Sequence, residues 1–390
     1  MNPAEQKRLL ADVEAFCQEI RPIEELCYVE HKFNDQVLPL ARKHDLLGMI
    51  LPREYGGRAA DTVTYARALA RIGREGTGVR TFFSGHISIG QYPILTWGNT
   101  EQKRRYLPAG ARGEKIFAFG LTEPEAGSNP LEMQMTYERR GDQFILNGVK
   151  YLISNAGIAH TIVTFAYPKG RTGRISAFIV DTGGRGFARE DLTAKMGMPT
   201  ANTAMFELTD YAVPAANLLG VEGEGFRIAM GTLVSGRLSV AAGCLGVIED
   251  CLAEAVQYAK DRQQHGKPIA KHQLVQEHLA AIEMHRLAAE SVVLRAADAK
   301  EASVVQPENA ELKARAELLS AQAKLLAANA AWDAADRAVQ VFGGRGWSTL
   351  YRPGRHLQDV RVCRIYEGTD EILKLKVAAA VLGKEYEAYK

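Results

Sequence analysis

Ile365-Tyr366-Glu367-Gly368-Thr369-Asp370-Glu371 sets a single carboxylate in a short loop just ahead of a helix, and the rest of the chain reads outward from it. Thr369 is a good N-cap, Asp370 and Glu371 suit the positive end of a helix dipole, and the apolar run from Ile372 to Leu382 is stopped by Gly383. Glu367 therefore falls outside the regular helix, where a Gly-Thr turn can aim it into a cleft. It is the candidate catalytic base. Upstream, Leu312, Leu319, Ala323 and Leu326 keep helical register in an Ala-rich stretch from about Asn309 to Phe342, which Gly343-Gly344 ends. A helix is expected from about Gln273 to Ala299. Before it, Leu238, Ala241, Leu245, Ile248, Leu252, Ala255 and Ala259 recur every three or four residues until Gly266-Lys267-Pro268 interrupts them. Residues 223–390 thus read as a C-terminal four-helix bundle.

Residues 116–222 change texture. Gln143-Phe-Ile-Leu-Asn-Gly, Thr161-Ile-Val-Thr-Phe-Ala-Tyr and Ile175-Ser-Ala-Phe-Ile-Val are short β-rich runs separated by Gly, Asp, Asn and Pro, and they predict a compact, β-barrel-like middle domain. Residues 1–115 return to helical spacing, as in Leu9, Leu10, Val13, Phe16, Cys17 and Ile20, with a turn at 52–57. Helices, a β insert and a bundle in sequence define an α+β class rather than an alternating doubly wound fold.

The chain has 390 residues, and 48 basic side chains face 46 acidic ones, so no global field calls for nucleic acid or an anionic membrane. Five cysteines without a CxxC pair read as reduced core residues of a cytoplasmic protein. The N-terminus has no long apolar run, so neither a signal peptide nor a membrane span is expected there. The glycine-rich places at 183–186, 220–225 and 343–346 fit neither a GxGxxG opening a helix after a strand nor a P-loop. His272, His278 and His285 are spaced too widely for joint ligation, and no metal site is expected. No GxSxG element supports serine hydrolysis.

Phe117 to Pro130 begins as a strand and ends in turn chemistry with Thr122, Gly127 and Ser128, and Lys150 to Ala156 is a strand entering a turn. Together with Val213 to Phe226, Arg262 to Gly266, Gln340 to Gly346 and Tyr366 to Thr369, these segments occur in the order of the signature elements of one family. Over essentially its whole length the chain resembles the acyl-CoA dehydrogenases. The resemblance implies that family's fold and a FAD enzyme that removes the α-proton and β-hydride of an acyl-CoA thioester to give a trans-2-enoyl-CoA. Glu367 would be the base and flavin N5 the hydride acceptor, with electrons passing to an electron-transferring flavoprotein. A base beside a thioester needs desolvation and donors on the developing enolate oxygen; the backbone N–H of Glu367 and a ribityl hydroxyl would supply them.

Residue by residue, the resemblance places Phe119, Leu121, Thr122, Ile153 and Ser154 around the isoalloxazine, with Ser128 near cofactor or CoA. Arg262 would reach FAD in a neighbouring subunit, while Gln273, Gln340, Gly343, Gly344, Thr369 and Glu371 would hold the rest of the dinucleotide. A cofactor completed by a second chain implies an oligomer, expected as a homotetramer. Arg237, the family's helix-opening Arg, would tune the base, and Tyr366 and Gly368 would flank the substrate. Some relatives carry the base at the position of Gly236, where a glycine cannot serve. Two departures are Leu152 in place of a flavin-walling Trp and His265 in place of a Phe. The segment from Gly78 to His86 aligns with the acyl-pocket helix, where Arg80 and Ser84 match the pair that grips the distal carboxylate in glutaryl-CoA dehydrogenases; a Glu that accompanies that Arg is here Gly73. The alternatives are a short-chain monoacyl-CoA dehydrogenase, or a flavin oxidase or oxygenase on the same fold.

Overall fold

In the computed structural model, which describes residues 1–386 and 388, the two apolar-periodic ends of the chain form helices that flank a central sheet. Helix α1 (Pro3–Val29) opens on a reciprocal cap between Asn2 and Glu5 and buries Leu9, Val13, Phe16, Cys17 and Ile20 on one face. It is followed by α2 (Val37–Lys43), α3 (Thr62–Gly73) and α4 (Thr77–Phe83). A wider π-type turn over Ser84–Gln91 carries α4 into α5 (Tyr92–Trp97), and α6 (Thr100–Ala111) completes the first part. Glycines let this turn sit close to the sheet: a Cβ on Gly90 would stand 2.6 Å from Phe117 Cβ, and one on Gly85 2.8 Å from Asn155 Nδ2.

The sheet comprises β1 (Phe117–Gly120), β2 (Thr136–Arg140), β3 (Gln143–Ser154), β4 (Thr161–Pro168), β5 (Ser176–Asp181), β6 (Phe187–Asp191), β7 (Thr203–Pro214) and β8 (Leu218–Leu219). Its order is β6-β7-β3-β2-β4-β5-β8, with β1 added in parallel to β4. The long β3–β7 pair shifts register between Lys150 and Ile153, and Leu152 takes φ 58° at that irregularity. Buried Lys150 anchors the strand by donating to Glu123 Oε1 at 2.8 Å and to the Leu121 carbonyl at 3.2 Å.

The C-terminal part holds α7 (Gly225–Asp261), α8 (Gln273–Val305), α9 (Ala310–Phe342), α10 (Arg352–Val360) and α11 (Asp370–Leu382). Helix α8 runs past the expected end at Ala299, because nothing between Lys300 and Val305 breaks a helix before Pro307. Arg237 lies in the interior of α7, twelve residues beyond Gly225, so it does not open that helix. Helix α7 is long and apolar enough to cross a bilayer by composition, yet 83% of its most apolar window is buried inside the fold. It is the shared core helix, packing against α3, α8 and α9. All five cysteines are buried and unbridged.

Candidate active site

Glu367 follows the turn after α10 in the left-handed region, φ 57°, and Gly368 continues there at φ 98°. The Thr369 hydroxyl accepts from Ile372 N at 3.3 Å and opens α11, which holds Glu367 off the helix. Two cations pin this loop through its backbone: Arg237 Nε donates to the Glu367 carbonyl at 3.0 Å and Lys324 Nζ to the Gly368 carbonyl at 2.7 Å. The residue keeps some surface contact, but its Oε2 is sealed from solvent and has no hydrogen-bond partner among the described residues. Burial pushes its carboxyl up to about 7, against the pull of Arg237, Arg80 and Lys324. The carboxylate presses on α7, where a Cβ on Gly236 would lie 1.9 Å from Oε2.

Arg80 is buried, 2% exposed, against Gly243 of the same helix α7. Its guanidinium donates to the Tyr366 hydroxyl and lies 3.9 Å from Cys363 Sγ, and its Nε is unpartnered. Ser84 meets Ser239 hydroxyl to hydroxyl at 2.6 Å, and Ser239 also donates to the Gly236 carbonyl at 2.9 Å. With the Ser239 proton so used, Ser84 donates to Ser239. Tyr366, Gly368, Arg237, Arg80 and Glu367 thus come together around one point. Asn155 ties α4 to the sheet by donating to the Phe82 carbonyl at 3.0 Å, and a Cβ on Gly85 would meet Ser154 Cβ at 3.6 Å.

Other predicted residues fall into two groups. Phe119 and Ile153 are buried, Leu121, Thr122 and Ser154 are half-buried at the sheet end nearest the cleft, and Ser128 is exposed on the following loop. Thr369 and Glu371 start α11. Arg262, Gly343 and Gly344 line a separate cleft of about 500 Å³, with Tyr258, Phe342 and Arg345, and Gln273 and Gln340 are exposed. That cleft lies at the far end of α7, about 38 Å from Gly236 along the helix at 1.5 Å per residue. One chain does not bring the two groups together. Leu152 is 55% exposed beside Ile153.

Three participants escaped sequence reasoning: Lys324, Cys363 and Ser239. Lys324 carried a signal, a lone charge on the apolar face of an Ala-rich helix, fully buried here. Cys363 and Ser239 carried none, because their significance comes from Arg80 and Ser84, which are remote in sequence.

The N-terminal, middle and C-terminal domains of acyl-CoA dehydrogenases match residues 3–114, 118–211 and 223–382. An acyl-CoA dehydrogenase of Bacillus subtilis is 40% identical over 376 residues, 94% of each chain. The structure of butyryl-CoA dehydrogenase from Megasphaera elsdenii superposes with a TM-score of 0.91 at 33% identity, covering 98% of this chain and 99% of that one. A glutaryl-CoA dehydrogenase in complex with glutaryl-CoA gives a TM-score of 0.91 at 31% identity, covering 100% and 98%. The chain therefore belongs to the acyl-CoA dehydrogenase family, FAD-using oxidoreductases that act on CH–CH groups.

Proposed function

We propose that the protein dehydrogenates a short-chain acyl-CoA between its α and β carbons, with Glu367 taking the α-proton. The observation that carries this is the sealed, unpartnered Glu367 Oε2: a carboxylate oxygen shielded from water and without a hydrogen bond is a stronger base, and its raised pKa keeps it titrating near neutrality. Two cations hold the loop's carbonyls, which fixes the carboxylate relative to the cleft. Among the described residues no acceptor takes the Glu367 N–H, so it is free to donate to the thioester oxygen as negative charge develops there.

The residues fit FAD. Gly343 and Gly344 have open space where a side chain would stand, Arg262 supplies a cation on the same cleft, and the Thr122 and Ser154 hydroxyls have no protein partner among the described residues. Phe119, Leu121, Thr122, Ile153 and Ser154 would hold the ring end, and Thr369, Glu371, Gln273, Gln340, Gly343, Gly344 and Arg262 the dinucleotide. Bound FAD supplies the acceptor for the β-hydride. Because the Arg262 cleft lies at the C-terminal end of α7 and the base packs on Gly236 in its N-terminal half, one cofactor needs both groups from two chains, which supports an oligomer, read as a tetramer. Exposed Leu152 leaves the end of β3 open to a protein acceptor, in keeping with electron transfer to an electron-transferring flavoprotein.

A second reading is a dicarboxylic, glutaryl-like substrate. It is favoured by buried Arg80, which has an orphan Nε and no carboxylate partner among the described residues. Anaerobic mixing of the holoenzyme with butyryl-CoA and with glutaryl-CoA separates the two. Flavin bleaching by butyryl-CoA supports the first reading, bleaching by glutaryl-CoA alone the second, and bleaching by neither contradicts both.

A further inference from the structure

We propose that Cys363 is the counter-charge of Arg80: its sulfur, held as a thiolate, compensates the buried guanidinium when the bound acyl chain is uncharged, and so sets acyl specificity. This rests on the reading of the cleft around Glu367 as the acyl pocket. An arginine is always charged, and one this deeply buried needs an anion close by. Among the described residues no carboxylate pairs with Arg80; its side-chain partners are the Tyr366 hydroxyl and Cys363 Sγ.

Proton counting then singles out the sulfur. The Tyr366 oxygen accepts from Arg80, which leaves its own proton to be given elsewhere, and Cys363 Sγ at 3.3 Å is the partner in place to take it. The Arg80 guanidinium stands 3.9 Å from the same sulfur. A cation and a hydroxyl thus converge on Sγ.

The electrostatics agree in direction. The hydrogen bond from Cys244, then the Arg80 charge and the Tyr366 hydroxyl, lower the Cys363 thiol against the effect of burial, while Cys244 is driven up as the donor of the pair. The groups facing Cys363 are Cys244 on α7, Arg80 on α4, Lys324 on α9, Asp359 on α10 and Tyr366 on its own loop, with Glu367 next along. Two of these are cations, and the nearer is Arg80.

The consequence concerns substrates. A distal carboxylate entering the pocket would share Arg80 with an anion already there, whereas an uncharged acyl chain leaves the pair undisturbed. Replacing the thiolate by a neutral group frees Arg80 for an anionic chain. The test compares wild-type, Cys363→Ser and Cys363→Ala holoenzymes. The ultraviolet thiolate absorbance of wild-type minus variant, followed from pH 5 to 9, is expected to show one thiolate at pH 7 that disappears in acid. The ratio of kcat/KM for glutaryl-CoA over butyryl-CoA is expected to rise about tenfold to a hundredfold in both variants. A difference spectrum that stays flat until the pH range of an ordinary thiol, or an unchanged substrate ratio, overturns the proposal. If neither thioester bleaches the flavin, the dehydrogenase reading fails separately, and the absorbance still decides whether Cys363 is ionised.

Discussion

The Glu367 carboxylate fills the space that a side chain at Gly236 would need: a Cβ there would lie 1.9 Å from Oε2 and 2.4 Å from Cδ. The two positions are mutually exclusive. A base on the loop requires a residue without a side chain on the helix facing it, and the bare face of α7 gives the carboxylate its sealed surroundings.

Gly236→Ala should keep flavin and fold but push Glu367 out of line, lowering kcat about a hundredfold, as small misplacements of a reacting group do. Steady-state turnover with butyryl-CoA reads this. An unchanged kcat would mean the carboxylate does not act from where it packs.

The pH profile should follow the base. A general base works ionised, and burial raises Glu367 from the ordinary 4.5 to about 7, so with Glu367 as the base kcat/KM should climb through a midpoint near 7 and level off above it. A midpoint at the ordinary carboxyl value would contradict the sealed site.

Stability should carry a second pH signature. Buried Glu24, which accepts from Asn34 at 2.8 Å and from Thr200 at 2.5 Å, is pushed up to about 7 by burial. A carboxyl that holds its proton longer when folded contributes stability that is present below its unfolded value and lost as the pH rises through the folded one. Between pH 5 and 8, Glu24→Gln should therefore gain stability relative to wild-type. Denaturant midpoints across that range check the sign, and a constant difference would remove Glu24 as the cause.

Lys150→Met should be costly. Lys150 and Glu123 form a buried ion pair at 2.8 Å, and Glu123 also accepts from the backbone N–H groups of Gln134 and Met135. Removing the lysine strands a buried carboxylate, at a cost of about 3–5 kcal/mol. A marked fall in the thermal midpoint of the holoenzyme is the expected result.

The parts of the site that were legible in the sequence are those set by local chemistry. Thr369 as cap and Gly383 as stop place Glu367 off the helix without any tertiary information, and helical periodicity located α7 and α9. Arg237 was expected to open a helix and lies inside one, because the apolar pattern begins well before it and Gly225 admits the first turn where it meets Ile175 and Ser176. The surroundings of Arg80 were not legible. Its partners Cys363 and Tyr366 are more than 280 residues away in sequence, and a thiol becomes an anion only by the company it is folded into. The same holds for Lys324, whose ammonium meets the Gly368 carbonyl across the bundle.

The most direct test is Glu367→Gln, an isosteric change that removes the base and little else. The purified variant should bind flavin with its visible spectrum intact and, mixed anaerobically with butyryl-CoA, bleach slower than wild-type by about a hundredfold to ten-thousandfold, the usual worth of a general base. Bleaching at the wild-type rate would show that another group takes the α-proton and that Glu367 is not the base.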